Sequence, residues 1–156
     1  MTTSPEIASA ARRLMQRLDE FARFSDEEGR LTRLYLSKAH GDAARQFIAW
    51  CAEAGLNAKI DASGNVFARY EGKTPGAPAL MLGSHIDTVR DAGRYDGNLG
   101  ALAALAVVEN LAAAGERLDH AVEIASGSQP KAFSASRIVT PSASFWSSAE
   151  RANIPA

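Results

Sequence analysis

His85, Asp87 and Asp96 are the residues whose types and spacing point most directly to chemistry. They lie in Gly83-Ser84-His85-Ile86-Asp87-Thr88-Val89 and, after a short loop, in Gly93-Arg94-Tyr95-Asp96-Gly97-Asn98-Leu99-Gly100. Neutral imidazole is a good ligand for zinc and similar ions when its second ring nitrogen is oriented by a hydrogen-bond acceptor. Asp87 stands two positions beyond His85, so on extended backbone the two side chains project to the same side and the carboxylate can serve as that acceptor. Asp96 sits at a glycine-flanked turn, and a carboxylate has two oxygens with which to bridge a pair of cations. Singly, each residue has a plainer reading. A bare His-x-Asp arises often by chance, and a hydrogen-bonded strand end gives the same pattern. His40 and His120 read as structural or surface histidines. The glycines around Asp96 also admit a phosphate cradle at a helix N-terminus, although Gly97 and Gly100 lack the full GxGxxG spacing.

The elements that must hold these residues follow from periodicity. Ser4, Pro5 and Glu6 form a helix start, and Ile7, Ala11, Leu14, Leu18 and Phe21 repeat at helical spacing. A polar loop containing Gly29 leads through Thr32-Arg33-Leu34, where no chemistry is legible. Asp42 is the expected cap of a second helix, with Ala43, Phe47, Trp50 and Ala54 on one face and Gly55 at its C-terminal end. Residues 56–60 and 66–70 flank a polar turn and predict a hairpin. Ala79-Leu80-Met81-Leu82 is all apolar and predicts a central strand covered on both faces, immediately before the histidine. Residues 99–111 predict a buried helix ended by Gly115, and residues 120–125 another strand. This order gives an α/β layered domain. In such a sheet, ligands bind in the crevice beyond the strand ends, which is where His85 and Asp87 leave the apolar run.

Composition narrows the classes further. At 156 residues the chain has room for one domain or part of a larger one. With 46% hydrophobic and 22% charged residues it can bury a core. Seventeen basic against eighteen acidic side chains leave a net charge of -1, with no general attraction to nucleic acid or anionic membrane. One cysteine, Cys51, forbids an internal disulfide, a four-cysteine zinc site or a CxxC pair, and fits a reducing, cytoplasmic setting. The first eighteen residues contain Arg12, Arg13 and Arg17 and do not read as a signal peptide, and no apolar run is long enough to span a bilayer. Beyond Ala125 the composition shifts: residues 126–156 hold eight of fourteen serines, three of six prolines and a single acid, Glu150. The expected division is therefore 1–125, the α/β domain, and 126–156, a divergent tail whose bland reading is a disordered terminus.

The motifs GSHIDTV and GRYDGNLG, preceded by Thr32-Arg33-Leu34 and Asp61-Ala62-Ser63-Gly64-Asn65-Val66, resemble the allantoate amidohydrolase and N-carbamoyl-L-amino acid hydrolase family, within the clan of dinuclear metallopeptidases and aminoacylases. The resemblance runs from the first helix to about Ala125 and covers roughly the N-terminal third of a family enzyme. It implies a partial three-layer αβα catalytic domain of the zinc-peptidase kind, without the inserted dimerisation domain. It further implies that His85 binds one metal ion, that Asp96 bridges two, and that Asp87 is the catalytic-site carboxylate behind His85. Complete family enzymes are homodimers that use two divalent ions, zinc or manganese, and a glutamate base to cleave carbon-nitrogen bonds of small ureido substrates.

The chain then departs from the pattern. Where the resemblance implies a Glu-Glu-Gly type motif, carrying the base and a metal ligand, Pro130 and Lys131 stand instead. The remaining histidine ligands and the substrate-binding arginine belong to parts of the family pattern beyond where this chain stops. A one-base slip accounts for the change, since GAA-GGC-GTT-C, encoding Glu-Gly-Val, becomes AAG-GCG-TTC for Lys-Ala-Phe, the residues at 131–133. Three functional readings compete: an amidohydrolase fragment acting on N-carbamoyl amino acids or allantoate, inactive as written; a non-catalytic remnant or binding module; and, more weakly, an aminoacylase or peptidase of the same clan. A nucleotide-binding module at Gly97 is a further alternative. Metal binding is expected to be weak or absent in the fragment.

Overall fold

The computed structural model describes residues 5–127, in the order α1 (Pro5–Phe21), α2 (Lys38–Glu53), β1 (Asn57–Ile60), β2 (Val66–Tyr70), β3 (Ala79–Ser84), α3 (Asn98–Ala113) and β4 (Ala121–Ser126). The expectation for the tail lies, apart from Ser126 and Gly127, outside the described residues. Helix α1 buries Leu18 and Phe21 at the end of its apolar stripe, as the periodicity predicts. Helix α2 starts earlier than the expected cap at Asp42. Ser37 has extended backbone, and its hydroxyl accepts the N–H of His40 at 3.1 Å. This satisfies a donor that the helix itself leaves open. Asp42 instead lies within the helix and pairs on the surface with Lys38 at 2.7 Å and with Arg45. Ala43, Phe47, Trp50 and Ala54 are buried as expected, and Gly55 takes φ +78° just past the helix end.

The hairpin of β1 and β2 forms around Asp61, whose Oδ1 accepts the N–H groups of Ser63 and Asn65, both at 2.9 Å. Side-chain capping of this kind is what makes Asp a turn former. The described strands make one sheet in the order β1-β2-β4-β3, with β4 antiparallel to β2 and parallel to β3. Parallel neighbours need a crossover, and α3 supplies it between β3 and β4. Consequently β4, buried at every position, is an inner strand beside β2, while β3 is an edge strand among the described residues and leaves Leu80 half exposed. The expectation of a central, doubly covered β3 is thus corrected. A short apolar run marks burial potential but does not reveal which strand a later one will insert beside. Likewise α3 buries Ala101, Leu102, Ala104, Leu105 and Val108 yet exposes Leu99 and Val107.

The apolar core lies between the helices and one face of the sheet. Val66, Ala68, Tyr70, Val122 and Ile124 pack there with Leu18, Phe21, Phe47, Trp50, Cys51, Leu102 and Leu105. Cys51 is fully buried and burial pushes its thiol pKa up to about 12. Alternate residues on the opposite face include Arg69 and Glu123, directly paired across β2 and β4. Their ion pair measures 2.6 Å, and Arg69 also reaches Glu71 at 2.7 Å and the carbonyl of Ala77 at 2.6 Å. No helix among the described residues is long and apolar enough to cross a membrane.

Candidate metal centre

The C-terminal ends of the parallel strands place the site. Ser84 ends β3 opposite Ser126 of β4, and the N–H of Gly127 donates to the carbonyl of Ser84 at 3.0 Å. Immediately beyond, His85 and Asp87 leave the sheet, and Asp96 and Gly97 enter α3 alongside them. This is the crevice at strand ends to which the sequence pointed.

His85 Nε2 stands 3.8 Å from Asp96 Oδ1, with both side chains about half exposed. On the other side of the ring, Nδ1 lies 2.9 Å from the main-chain carbonyl of Asp87 and 3.6 Å from its Oδ1. A carbonyl only accepts, so the proton belongs on Nδ1, which leaves the Nε2 lone pair directed toward Asp96. The main chain of Asp87 therefore makes the shorter contact, while its carboxylate Oδ1 is buried and accepts no hydrogen bond among the described residues. The ring is seated on Gly97, where a β-carbon would come within 2.4 Å of His85 Cε1 and Nδ1. Gly97 has φ +65° and ψ -47°, a conformation that side chains oppose. Ser84 Oγ donates to the carbonyl of Gly97 at 2.8 Å, and a β-carbon on Gly100 would stand 2.7 Å from that same hydroxyl oxygen.

Around this pair the 31–33 segment, silent in the sequence, is laced to the loop after β3. The N–H of Arg33 donates to Thr88 Oγ1 at 2.8 Å, and Thr88 N–H returns a bond to the Arg33 carbonyl at 2.8 Å. Thr32 Oγ1 accepts from the N–H of Asp91 at 3.1 Å. The guanidinium of Arg33 is fully buried beneath the site, and burial lowers its pKa to about 10. The sequence signal here was Thr32-Arg33-Leu34, a motif that carries part of the family resemblance but gave its arginine no role. His40 is buried between Tyr35, whose ring centroid is 5.6 Å away, and the turn at Gly64. His120 lies just ahead of β4, outside the site.

The donors fit a divalent ion in kind and in orientation. Metal bonds to imidazole nitrogen or carboxylate oxygen are about 2.1 Å long, so a 3.8 Å separation allows both to reach one ion. In number they fall short, because catalytic zinc commonly takes three protein ligands and no group of three His, Cys, Asp or Glu suited to a metal occurs among the described residues. The arrangement is half of a cation site.

In sequence and fold the chain is similar to known proteins. The profile of Peptidase family M28 matches residues 65–128, the stretch from the hairpin through β4. The chain is 42% identical over 110 residues to a probable allantoate deiminase from Oryza sativa subsp. japonica, covering 69% of this chain and 22% of that protein. It is 37% identical over 110 residues to an N-carbamoyl-L-amino-acid amidohydrolase from Pseudomonas sp. (strain NS671), covering 70% of this chain and 26% of the relative. A crystal structure of a hydantoinase/carbamoylase family amidase from Burkholderia ambifaria superposes with a TM-score of 0.70 at 39% identity, over 74% of this chain and 28% of that one. The chain thus spans about a quarter of the length of the relatives it matches. Sequence and fold agree on one ancestry: over the part that it covers, this chain is similar to allantoate deiminases, N-carbamoyl-L-amino-acid amidohydrolases and hydantoinase/carbamoylase family amidases.

Proposed function

We propose that this chain carries part of the divalent-metal site of an amidohydrolase whose complete form cleaves carbon-nitrogen bonds of N-carbamoyl amino acids or allantoate, and that the chain as written does not turn these substrates over. The observation that carries the reading is the facing pair of His85 Nε2 and Asp96 Oδ1, 3.8 Å apart, with Nδ1 held by Asp87. In this reading His85 and Asp96 are ligands, zinc or manganese is the ion, and Asp96 is the carboxylate able to bridge to a second. A divalent ion supplies a Lewis acid that polarises a carbonyl group and acidifies water. The chain's own part is to hold the imidazole in one tautomer, aim its free nitrogen, and fix the carboxylate beside it. Pro130 and Lys131 stand where the resemblance implies the base and a further metal ligand, and base, metal and oxyanion stabiliser act as a unit. The proposed boundary after Ala125 has a one-base slip as its proposed origin, and the family match runs three residues past it, to residue 128. Reading the gene in its other forward frames tests it, and absence of an acidic motif there rejects the slip.

The purified 156-residue chain should release no ammonia above background from N-carbamoyl amino acids or allantoate, and calorimetry should show weak zinc binding without cooperativity. Ammonia release that a chelator removes and zinc or manganese restores, or two tightly bound ions per chain, would overturn this reading.

A further inference from the structure

Arg33 is the largest fully buried side chain of the described residues, and every acceptor its guanidinium meets is neutral. Nε donates to the carbonyl of Phe24 at 2.8 Å, and Nη2 to the carbonyl of Phe21. Nη1 donates to the carbonyl of Ile86 at 2.8 Å and also to Asn98 Oδ1 at 3.1 Å. The ring of Phe21 lies against the guanidinium, 4.5 Å from its carbon to the centroid. Burying a cation without a paired carboxylate is costly, and an apolar side chain of similar volume would fill the same space more cheaply. Packing alone therefore does not account for an arginine here. Its distinctive property is a rigid planar fork whose donors can meet several acceptors at once.

The acceptors are informative by position. Ile86 lies between His85 and Asp87, and Asn98 lies two residues beyond Asp96. One nitrogen atom thus joins the segment bearing the histidine to the segment bearing the carboxylate. The remaining two acceptors, Phe21 at the end of α1 and Phe24 just beyond it, hold Nη2 and Nε and so fasten the guanidinium there. On the opposite side the same two segments are joined by the Ser84 hydroxyl and the Gly97 carbonyl, at 2.8 Å.

We propose that Arg33 is a positioning residue for the half-site, its Nη1 acting as the clasp between Ile86 and Asn98 that sets the separation of His85 from Asp96. The idea rests on the reading of His85 and Asp96 as ligands for its effect on metal, but its geometric content does not. Arg33 touches neither donor and acts only through the backbone and the amide next to them.

The test uses the full chain, isotopically labelled, with Arg33→Lys and Asn98→Ala. In the metal-free chain the contact between the His85 ring protons and the α-protons of Gly97 is read by nuclear Overhauser effects, and zinc affinity is read by competition with a chromophoric chelator. Both variants should lose at least half of the ring-to-Gly97 intensity while their strand and helix signals persist, and zinc affinity should fall about tenfold or more, as when outer groups around a metal ligand are removed. Folded variants with the ring contact intact overturn the proposal, whatever their melting temperature. If Arg33→Lys unfolds, Asn98→Ala decides, since it leaves the guanidinium its three carbonyl acceptors. The ligand reading fails separately: wild type, His85→Ala and Asp96→Ala would then bind zinc equally, and the ring contact would still judge Arg33.

Discussion

A β-carbon on residue 97 has no room beside the His85 ring, which makes this glycine the most sensitive single position of the site. Gly97→Ala must either turn the imidazole away or displace the entry to α3, and a side chain at φ +65° adds strain of about 1–3 kcal/mol. Zinc affinity should fall along with the melting temperature, whereas Gly115→Ala, also at positive φ but with open space around it, should lower only the latter. Equal zinc affinity in the two variants would show that Gly97 does not seat the ring. His40 offers a second test at this scale. Burial holds its pKa below 6.5, with Arg33 adding to the effect and Asp87 and Asp26 opposing it. The unfolded chain takes up this proton first as pH falls, so the His40 contribution is full above about 6.5 and declines below that value toward the lower folded-state pKa. Urea midpoints measured from neutral to mildly acidic pH should show that decline, and His40→Phe should flatten it; an unchanged slope in the variant would assign the dependence to other groups. That His85 and Asp96 lie side by side was legible from the sequence because donor type, spacing and glycines coincide at one strand end. Arg33 was not, because a lone cation in a loop carries no periodicity and its acceptors come from segments far apart in the chain.

Elements were read more completely than their arrangement. The order of helices and strands, the hairpin and the C-terminal glycine of α2 all follow from local pattern. What local pattern does not contain is the insertion of β4 between β2 and β3, since pairing partners are chosen by the crossover and the packing of α3. That insertion creates the Arg69–Glu123 pair, buried at 7% and 1% exposure. Removing Arg69 strands the Glu123 charge, so Arg69→Met should cost about 3–5 kcal/mol in denaturant unfolding, whereas Glu123→Leu leaves Arg69 paired with Glu71 and should cost less. The double variant should lose clearly less than the sum, with an apolar pair replacing two desolvated ions. Strict additivity would mean that the charges are stabilised independently, for Arg69 by Glu71 and Ala77.

At the scale of the molecule, the apolar core of the described residues, on one face of their four-stranded sheet, supports the site from below. The site residues come from the 31–33 segment, the end of β3 and the start of α3, so its geometry depends on the same packing that holds α1 and α2 in place. Cys51 stands within that packing, fully buried, with a thiol that ionises only near pH 12. The chain therefore contains its own clock. At neutral pH a water-soluble thiol reagent should label Cys51 only when α2 lifts from the sheet, so the labelling rate counts openings of the core. Zinc, if it bridges the loop after β3 to α3, should slow that clock by stabilising the closed state in proportion to its occupancy. His85→Ala should abolish the slowing while leaving the metal-free rate nearly unchanged, a comparison that needs no substrate and no turnover. Labelling as fast as that of a free thiol would instead mean that the core is open most of the time.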